Sequence, residues 1–412
     1  MPITAPPTTD RVSRRFPGIS RNVFALGWVS FLTDLASEML YPVMPLFLVG
    51  TLGATPALLG VIDGVAEGMS SSLRWIGGAL SDRLRKRKPF VVAGYAISAL
   101  SKPVMGFAAI VLGWPLFFIG RCADRFGKSI RTAARDALIA DSTPPEYRGQ
   151  AFGFHRAADT CGAVLGPLVA LAVYLYWRTV RANLHYLFFI ALIPGLLSTL
   201  VAALAVRDIP HESPKDKPVA PPLLQPYPRS FWQLLAANAL FSLGNSSDAF
   251  LMLRAREVGL TFASILLAFA LYNAVYALAA LPLGSLSDRI GRKPVLITGW
   301  VVYAAVYLGF AITRSTLTPW FLMAAYGLYQ AMTEGVSKAF VTDVVPQPQR
   351  AGAIGLFYTA SGIGQLLASI LAGSLWTTHW FHNRALAAFT FGATCALAAV
   401  PLVAAVRPRQ ER

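Results

Sequence analysis

Ionisable side chains recur inside stretches of this chain that are otherwise apolar, and their spacing is helical. Asp34 and Glu38 stand four apart, hence on one face of a helix, with Tyr41 continuing that face. Asp63, Glu67, Ser70 and Arg74 fall within a narrow stripe when residues are placed about 100° apart. Arg121, Asp124, Lys128, Arg131 and Arg135 share one face over about four turns. Carboxylates and guanidiniums on facing helices can move a proton and hold a charged solute, because desolvation favours a protonated carboxyl while a nearby arginine favours the ionised one. Further along, Asp248 and Glu334 are acids in apolar runs. Asp248 has two readings: a cavity-lining acid that matches Glu38 at a shift of 210 positions, or a helix cap after Asn245, Ser246 and Ser247. Glu334 and Lys338 are spaced as an intrahelical pair, and mutual satisfaction is the first reading, a substrate role the second. His155 and Asp159 are also four apart, but a helix end with access to water explains His155 without a metal, which would need a third ligand.

The elements that must position these residues are membrane-spanning. The 412 residues are 55% hydrophobic and 14% charged, with mean hydropathy +0.53, a balance outside the range of soluble domains. Crossing a bilayer takes ~20 apolar residues in a helix. Twelve such runs lie near 22–48, 56–81, 89–111, 114–140, 150–177, 184–206, 230–253, 260–287, 294–313, 317–343, 350–377 and 384–406. The fold expected is an all-α membrane protein of twelve transmembrane helices. An ionisable group inside a span costs several kcal/mol unless paired or wetted, so each one named above is a candidate functional residue. The competing reading is that the charges neutralise one another as buried pairs that only hold the bundle together.

The net charge of +16 is spent on loops. Arg83, Arg85, Lys86, Arg87 and Lys88 follow the second span, Arg289, Arg292 and Lys293 the eighth, and Arg11, Arg14, Arg15 and Arg21 precede the first. An even span count puts them all on one side, which the positive-inside rule makes cytoplasmic. The expected location is a bacterial cytoplasmic (inner) membrane with both termini in the cytoplasm. No segment is long enough for a soluble basic face, which excludes nucleic acid as a partner. Residues 1–21 lack the apolar core of a signal peptide. Cys122, Cys161 and Cys395 fall inside spans and read as packing residues. There is no nucleophile–base set and no nucleotide motif, so neither enzyme activity nor a cofactor is expected.

The proline-rich stretch 207–229 reads as a cytoplasmic linker between a first bundle, 22–206, and a second, 230–406, flanked by tails 1–21 and 407–412. The halves echo each other. Gly78, Asp82 and Arg83 recur as Gly284, Asp288 and Arg289 at a shift of 206, and Asp141, Arg148 and Gly153 recur as Asp343, Arg350 and Gly355. Tandem six-helix repeats are an architecture of alternating access, with the solute at the midplane. The charges do not repeat: Phe269, Asn273 and Ala280 match Asp63, Glu67 and Arg74, and Gln330, Thr333 and Ser337 match Lys128, Arg131 and Arg135. Ion or proton handling is therefore expected in the first half.

Gly284-x-x-x-Asp288-Arg289-x-Gly291-Arg292-Lys293 matches the loop signature of the major facilitator superfamily, and residues 22–406 resemble that family throughout. The first copy departs from it at Arg85, where the family has glycine, so that turn is expected to be built differently. The fourth-span segment running from Asp124-Arg125 through Gly127-Lys128, Arg131-Thr132 and Arg135-Asp136-Ala137-Leu138 is similar to a bacterial and archaeal branch of it, with Arg121 nearest to the superfamily's usual fourth-span arginine. Gly162-x-x-x-Gly166-Pro167 resembles the glycine–proline signature associated in this family with antiporters. The resemblance implies two pseudo-symmetric six-helix bundles and secondary transport of a small solute, and a monomer is expected. Adding the residues above, the expected activity is proton-coupled efflux of a small polar or charged organic solute or drug, with the loop motifs acting as latches on one conformational state. Three rivals are an importer of an anionic solute held by the fourth-span cations, a metal-ion exporter using Asp34, Glu38, Asp63 and Glu67, and a membrane sensor without flux.

Overall fold

In lipid every backbone polar group must be satisfied within the segment, and this chain answers with helices. The computed structural model describes residues 19–84, 86–144, 147–177, 183–209, 226–346, 349–377 and 384–406. The surroundings of Arg74, Gly78, Asp82 and Arg83, the turn at Arg85, most of the linker and both tails lie outside the described residues.

The first bundle comprises α1 (Arg21–Leu40), α2 (Met44–Gly50), α3 (Pro56–Leu84), α4 (Lys88–Phe107), α5 (Trp114–Asp141), α6 (Arg148–Tyr176) and α7 (His185–Ala205). The second comprises α8 (Arg229–Gly244), α9 (Ala249–Glu257), α10 (Phe262–Ile290), α11 (Arg292–Ile312), α12 (Thr318–Val344), α13 (Arg350–Thr377) and α14 (Arg384–Ala404). Two spans are broken, α1 from α2 at Tyr41–Val43 and α8 from α9 at Asn245–Asp248, so fourteen described helices make twelve spans. Local chemistry sets several ends. Ser20 caps α1 by accepting from the Val23 amide at 3.2 Å, and Thr261 caps α10 by accepting from Ser264 at 3.1 Å. Gly291, at φ 94°, makes the turn from α10 into α11 in a conformation that side chains rarely adopt.

Eight spans are long and apolar enough to cross a membrane by composition alone. The other four are α3, α5, the α8–α9 pair and α12. These are the spans that carry Asp63 and Glu67, the fourth-span charges, Asp248, and Glu334. A helix that turns its polar face to a cavity inside the protein need not be apolar all round.

Within each half the same neighbours recur. The α4·α5, α4·α7 and α1·α7 packings are matched by α11·α12, α11·α14 and α8·α14. The halves meet through α3 against α13, α6 against α10, and α2 against α9. The α3–α13 seam is backbone to backbone: a Cβ at Gly60 would strike the Ser369 carbonyl, one at Gly373 the Pro56 carbonyl, and one at Gly362 the Ser71 side chain. Toward the end of the molecule that carries the loop motifs, Gly153, Gly284, Gly335 and Gly355 face open space, and Arg156 bridges to Glu334 and Tyr276 of the other half. The two halves are thus closed at one end and parted at the other.

Candidate transport cavity

Between the bundles lies a cavity of about 390 Å³. Its first-bundle wall is Glu38, Tyr41, Glu67, Ser71, Arg125 and Lys128; its second-bundle wall is built on Asn238, the broken segment 245–248, Trp300, Tyr326, Tyr329, Gln330 and Glu334. Both broken spans therefore border it. Unwound backbone at membrane depth occurs where it lines such a space.

The first-bundle wall is backed by a charge network across three helices. Arg121, 2% exposed, donates from Nε to Asp63 at 3.0 Å and from Nη2 to Glu67 at 3.4 Å. Glu67 also receives Arg125 at 2.5 Å. Asp124 accepts the Ser98 hydroxyl at 2.5 Å and lies 3.6 Å from Lys102, with Arg125 and Arg121 at 3.5 and 3.9 Å. The second oxygen of Asp63 accepts from the Ser247 hydroxyl at 2.8 Å, tying the network to the break between α8 and α9 in the other half. For these residues the reading as mutually neutralised pairs describes the geometry. Three others are not consumed by it. Among the described residues neither Glu38 nor Lys128 has an ion-pair partner, and both face the cavity, while Arg131 lies over the Tyr95 ring at 4.5 Å. Arg135 pairs with its neighbour Asp136 at 2.9 Å. Asp34 lies within hydrogen-bonding reach of Asp159, which accepts the Ser30 hydroxyl at 2.7 Å and Arg156 at 3.2 Å.

Arg156 crosses to the second half, donating to Glu334 at 2.9 Å and to the Tyr276 hydroxyl, which itself donates to Glu334 at 2.6 Å. The expected Glu334–Lys338 pair is therefore replaced: a guanidinium from the opposite bundle, with the Tyr276 hydroxyl beside it, takes the carboxylate in place of the i+4 lysine. His155 also departs from expectation. It is 5% exposed, and its Nε2 finds no partner, because α6 turns that face into the first bundle rather than toward water. Asp248 occupies the residue before α9 without making a side-chain cap; its carboxylate accepts the Tyr326 hydroxyl at 2.6 Å instead.

The second-bundle wall is aromatic. Phe241 stacks on Trp300 with centroids 4.7 Å apart, Tyr303 on Tyr307 at 4.1 Å, and Tyr329 meets Tyr303 and Tyr326 at 4.9 and 5.1 Å. Two of these tyrosines hold the break: Tyr303 donates to the Gly244 carbonyl at 2.7 Å, and the Tyr307 hydroxyl lies 3.2 Å from that of Ser246. Reading the sequence for charges passed over them, and over Lys102. Tyr303/Tyr307 and Tyr326/Tyr329 at helical spacing, and a lysine alone in the α4 apolar run, were the available signals.

The loop motif of the second half is local. Arg292 binds Asp288, the Ser287 hydroxyl at 2.7 Å and Asp343 at 3.7 Å, all within one bundle. The first half has a counterpart at the same junction, Arg87 with Asp141. In the glycine–proline segment, a Cβ at Gly162 would strike the Phe31 carbonyl and one at Gly166 the Met39 amide nitrogen, so α6 lies directly on α1, with Pro167 inside the helix. Cys122, Cys161 and Cys395 are free thiols. No cluster of three metal-ligating side chains is present among the described residues, and Asp63 and Glu67, two of the four oxygen donors of a metal exporter, are occupied by Arg121 and Arg125.

Two six-helix bundles around a polar cavity closed at one end define a membrane solute transporter. The family model of the Major Facilitator Superfamily matches residues 26–254 and 234–412, and the chain belongs to that family. An MFS-type transporter of Methanocaldococcus jannaschii is 39% identical over 364 residues, 87% of this chain and 89% of that one. A probable 4-methylmuconolactone transporter of Cupriavidus pinatubonensis is 26% identical over 312 residues, 71% of this chain and 70% of that one. The crystal structure of a D-xylose-proton symporter superposes with TM-score 0.75 at 16% identity, covering 94% of this chain and 97% of that one.

Proposed function

We propose that the chain is a proton-coupled exporter of a small organic anion. The observation that carries this reading is the division of the cavity: Lys128, without an ion-pair partner among the described residues, stands on one wall, and Trp300, Tyr326 and Tyr329 stand on the other, where the carboxylates of Asp248 and Glu334 are engaged by Tyr326 and by Arg156. A solute with one anionic group and an apolar or aromatic body satisfies both. Glu38 faces the same space with no ion pair among the described residues, which leaves it open to take a proton, whereas Asp63 and Glu67 are already matched by arginines. A relative named as a probable 4-methylmuconolactone transporter is in keeping with a small organic solute.

The basic loops and termini are assigned to the cytoplasm by the positive-inside rule. The parted end of the bundles is then the cytoplasmic end, a state in which an exporter loads and an importer releases. Export is favoured over import here by the antiporter-like segment at Gly162–Pro167. An untargeted comparison of solutes retained by cells with and without the gene identifies the substrate, and its flux in right-side-out and inverted vesicles under an imposed pH gradient tests the rest. Accumulation in inverted vesicles, driven by the gradient, is expected; flux indifferent to the gradient, or a cationic substrate, overturns the proposal.

A further inference from the structure

Beside the main cavity, and sharing Glu38, Tyr41, Arg125 and Lys128 with it, lies a chamber of about 40 Å³ between α1, α4 and α5. A water needs about 10–15 Å³ of such space. The chamber therefore admits a monoatomic anion or the carboxylate end of a larger solute, and not a whole organic molecule. Its wall carries three carboxylates, Asp34, Glu38 and Asp124, and five cations. Asp124 is held by Lys102 and Asp34 lies within hydrogen-bonding reach of Asp159, while Arg121 and Arg125 are committed to Asp63 and Glu67. Arg131 is not committed. It is 4% exposed, one face of its guanidinium is covered by the Tyr95 ring at 4.5 Å, and Nε and Nη1 have no hydrogen-bond partner among the described residues. Buried polar groups in folded proteins are satisfied, and a charged donor more so than a neutral one. The guanidinium fork is shaped for a carboxylate or a compact anion. Lys128 stands where this chamber meets the main cavity.

We propose that Arg131, with Lys128 at the entrance, is an anion-binding subsite that takes a compact monovalent anion: the carboxylate end of the transported solute, or a free halide of the same charge. This deepens the exporter reading and rests on it only for the carboxylate arm. Seated there, a carboxylate would leave the body of the solute in the 390 Å³ cavity against the aromatic wall.

The test uses the full chain in lipid nanodiscs, with thermal unfolding followed at constant ionic strength while the bulky anion isethionate is replaced by chloride, bromide, acetate or benzoate. Wild type is expected to show a saturable rise in melting temperature. Arg131→Gln should weaken the apparent affinity at least tenfold, Arg131→Lys should recover part of it, and Arg314→Gln, at an exposed loop, should respond like wild type. A response to acetate and benzoate alone assigns the subsite to the solute carboxylate. A response to the halides as well, with a bromide anomalous peak beside Arg131 in crystals, assigns it to a free anion. No saturable response to any of the four, or an Arg131→Gln response equal to wild type, overturns the subsite and leaves Arg131 to water. If Arg131→Gln does not fold, the Lys variant and the bromide peak in wild type decide. Gradient-driven flux measured separately in proteoliposomes keeps the two readings apart: flux without the anion response sinks the subsite alone, and the anion response without gradient-driven flux sinks the coupling alone.

Discussion

In the first bundle the cavity wall is backed by charges that hold one another across α3, α4 and α5; at the matched positions of the second bundle stand Phe269, Asn273, Gln330 and Thr333, and the wall is made of stacked tyrosines and a tryptophan. Yet in both bundles an arginine beside the loop motif reaches the matched aspartate, Arg87 to Asp141 in one and Arg292 to Asp343 in the other, one position apart in register. What repeats belongs to the scaffold, and what does not repeat belongs to the solute and its coupling. Two helices that never change partners within a bundle can carry either chemistry, because the pressure on them is to cross the membrane and pack.

The comparison can be broken most violently at Arg121. Replacing it by Gln leaves Asp63 and Glu67 without their shared guanidinium in a buried site, and breaking a buried pair costs about 3–5 kcal/mol. A large fall in melting temperature, or no monodisperse protein at all, is expected; wild-type stability would show the network to be solvated and the division between bundles to be cosmetic. A step down in size, Lys128→Gln should raise the KM for an anionic solute about tenfold while leaving stability alone, since a hydrogen bond to a charged group contributes about 1.5–3 kcal/mol. On the other wall, Tyr326→Phe removes only the hydrogen bond to Asp248, a change of about 0.5–1.5 kcal/mol, and should shift KM a few-fold with the proton-to-solute ratio unchanged. An altered ratio would move coupling into the second bundle. Last comes Asp288→Asn, whose side chain is 61% exposed: stability within ~1 kcal/mol of wild type in a melting experiment, but with altered initial rates of transport. Rates equal to wild type at every solute concentration would take the motif out of gating.

Much of this was legible in the sequence, for reasons that can be located. The bilayer demands helices of a fixed minimum length, so the spans stand out, and the period of 3.6 displays stripes such as Asp34–Glu38 and Asp63–Glu67 directly. Contacts between helices are invisible to that period. Lys102 has its acid, Asp124, on another helix, and Arg156 finds Glu334 in the other bundle, while the lysine four residues from Glu334 was the only partner the sequence displayed. The segment Asn245–Asp248 admits both a cap and a cavity-lining break, because small polar residues favour both; the Tyr326 hydroxyl on Asp248 tells them apart.

The central claim, that the coupling proton rides on Glu38 in the first bundle, is met most directly by Glu38→Gln in proteoliposomes. Solute accumulation driven by an imposed pH gradient and solute exchange without a gradient are measured on the same preparation. Gradient-driven accumulation should be abolished and exchange should persist, because binding and rocking need no proton. Accumulation at the wild-type level would contradict the account and carry the search to Asp34, Asp248 and Glu334.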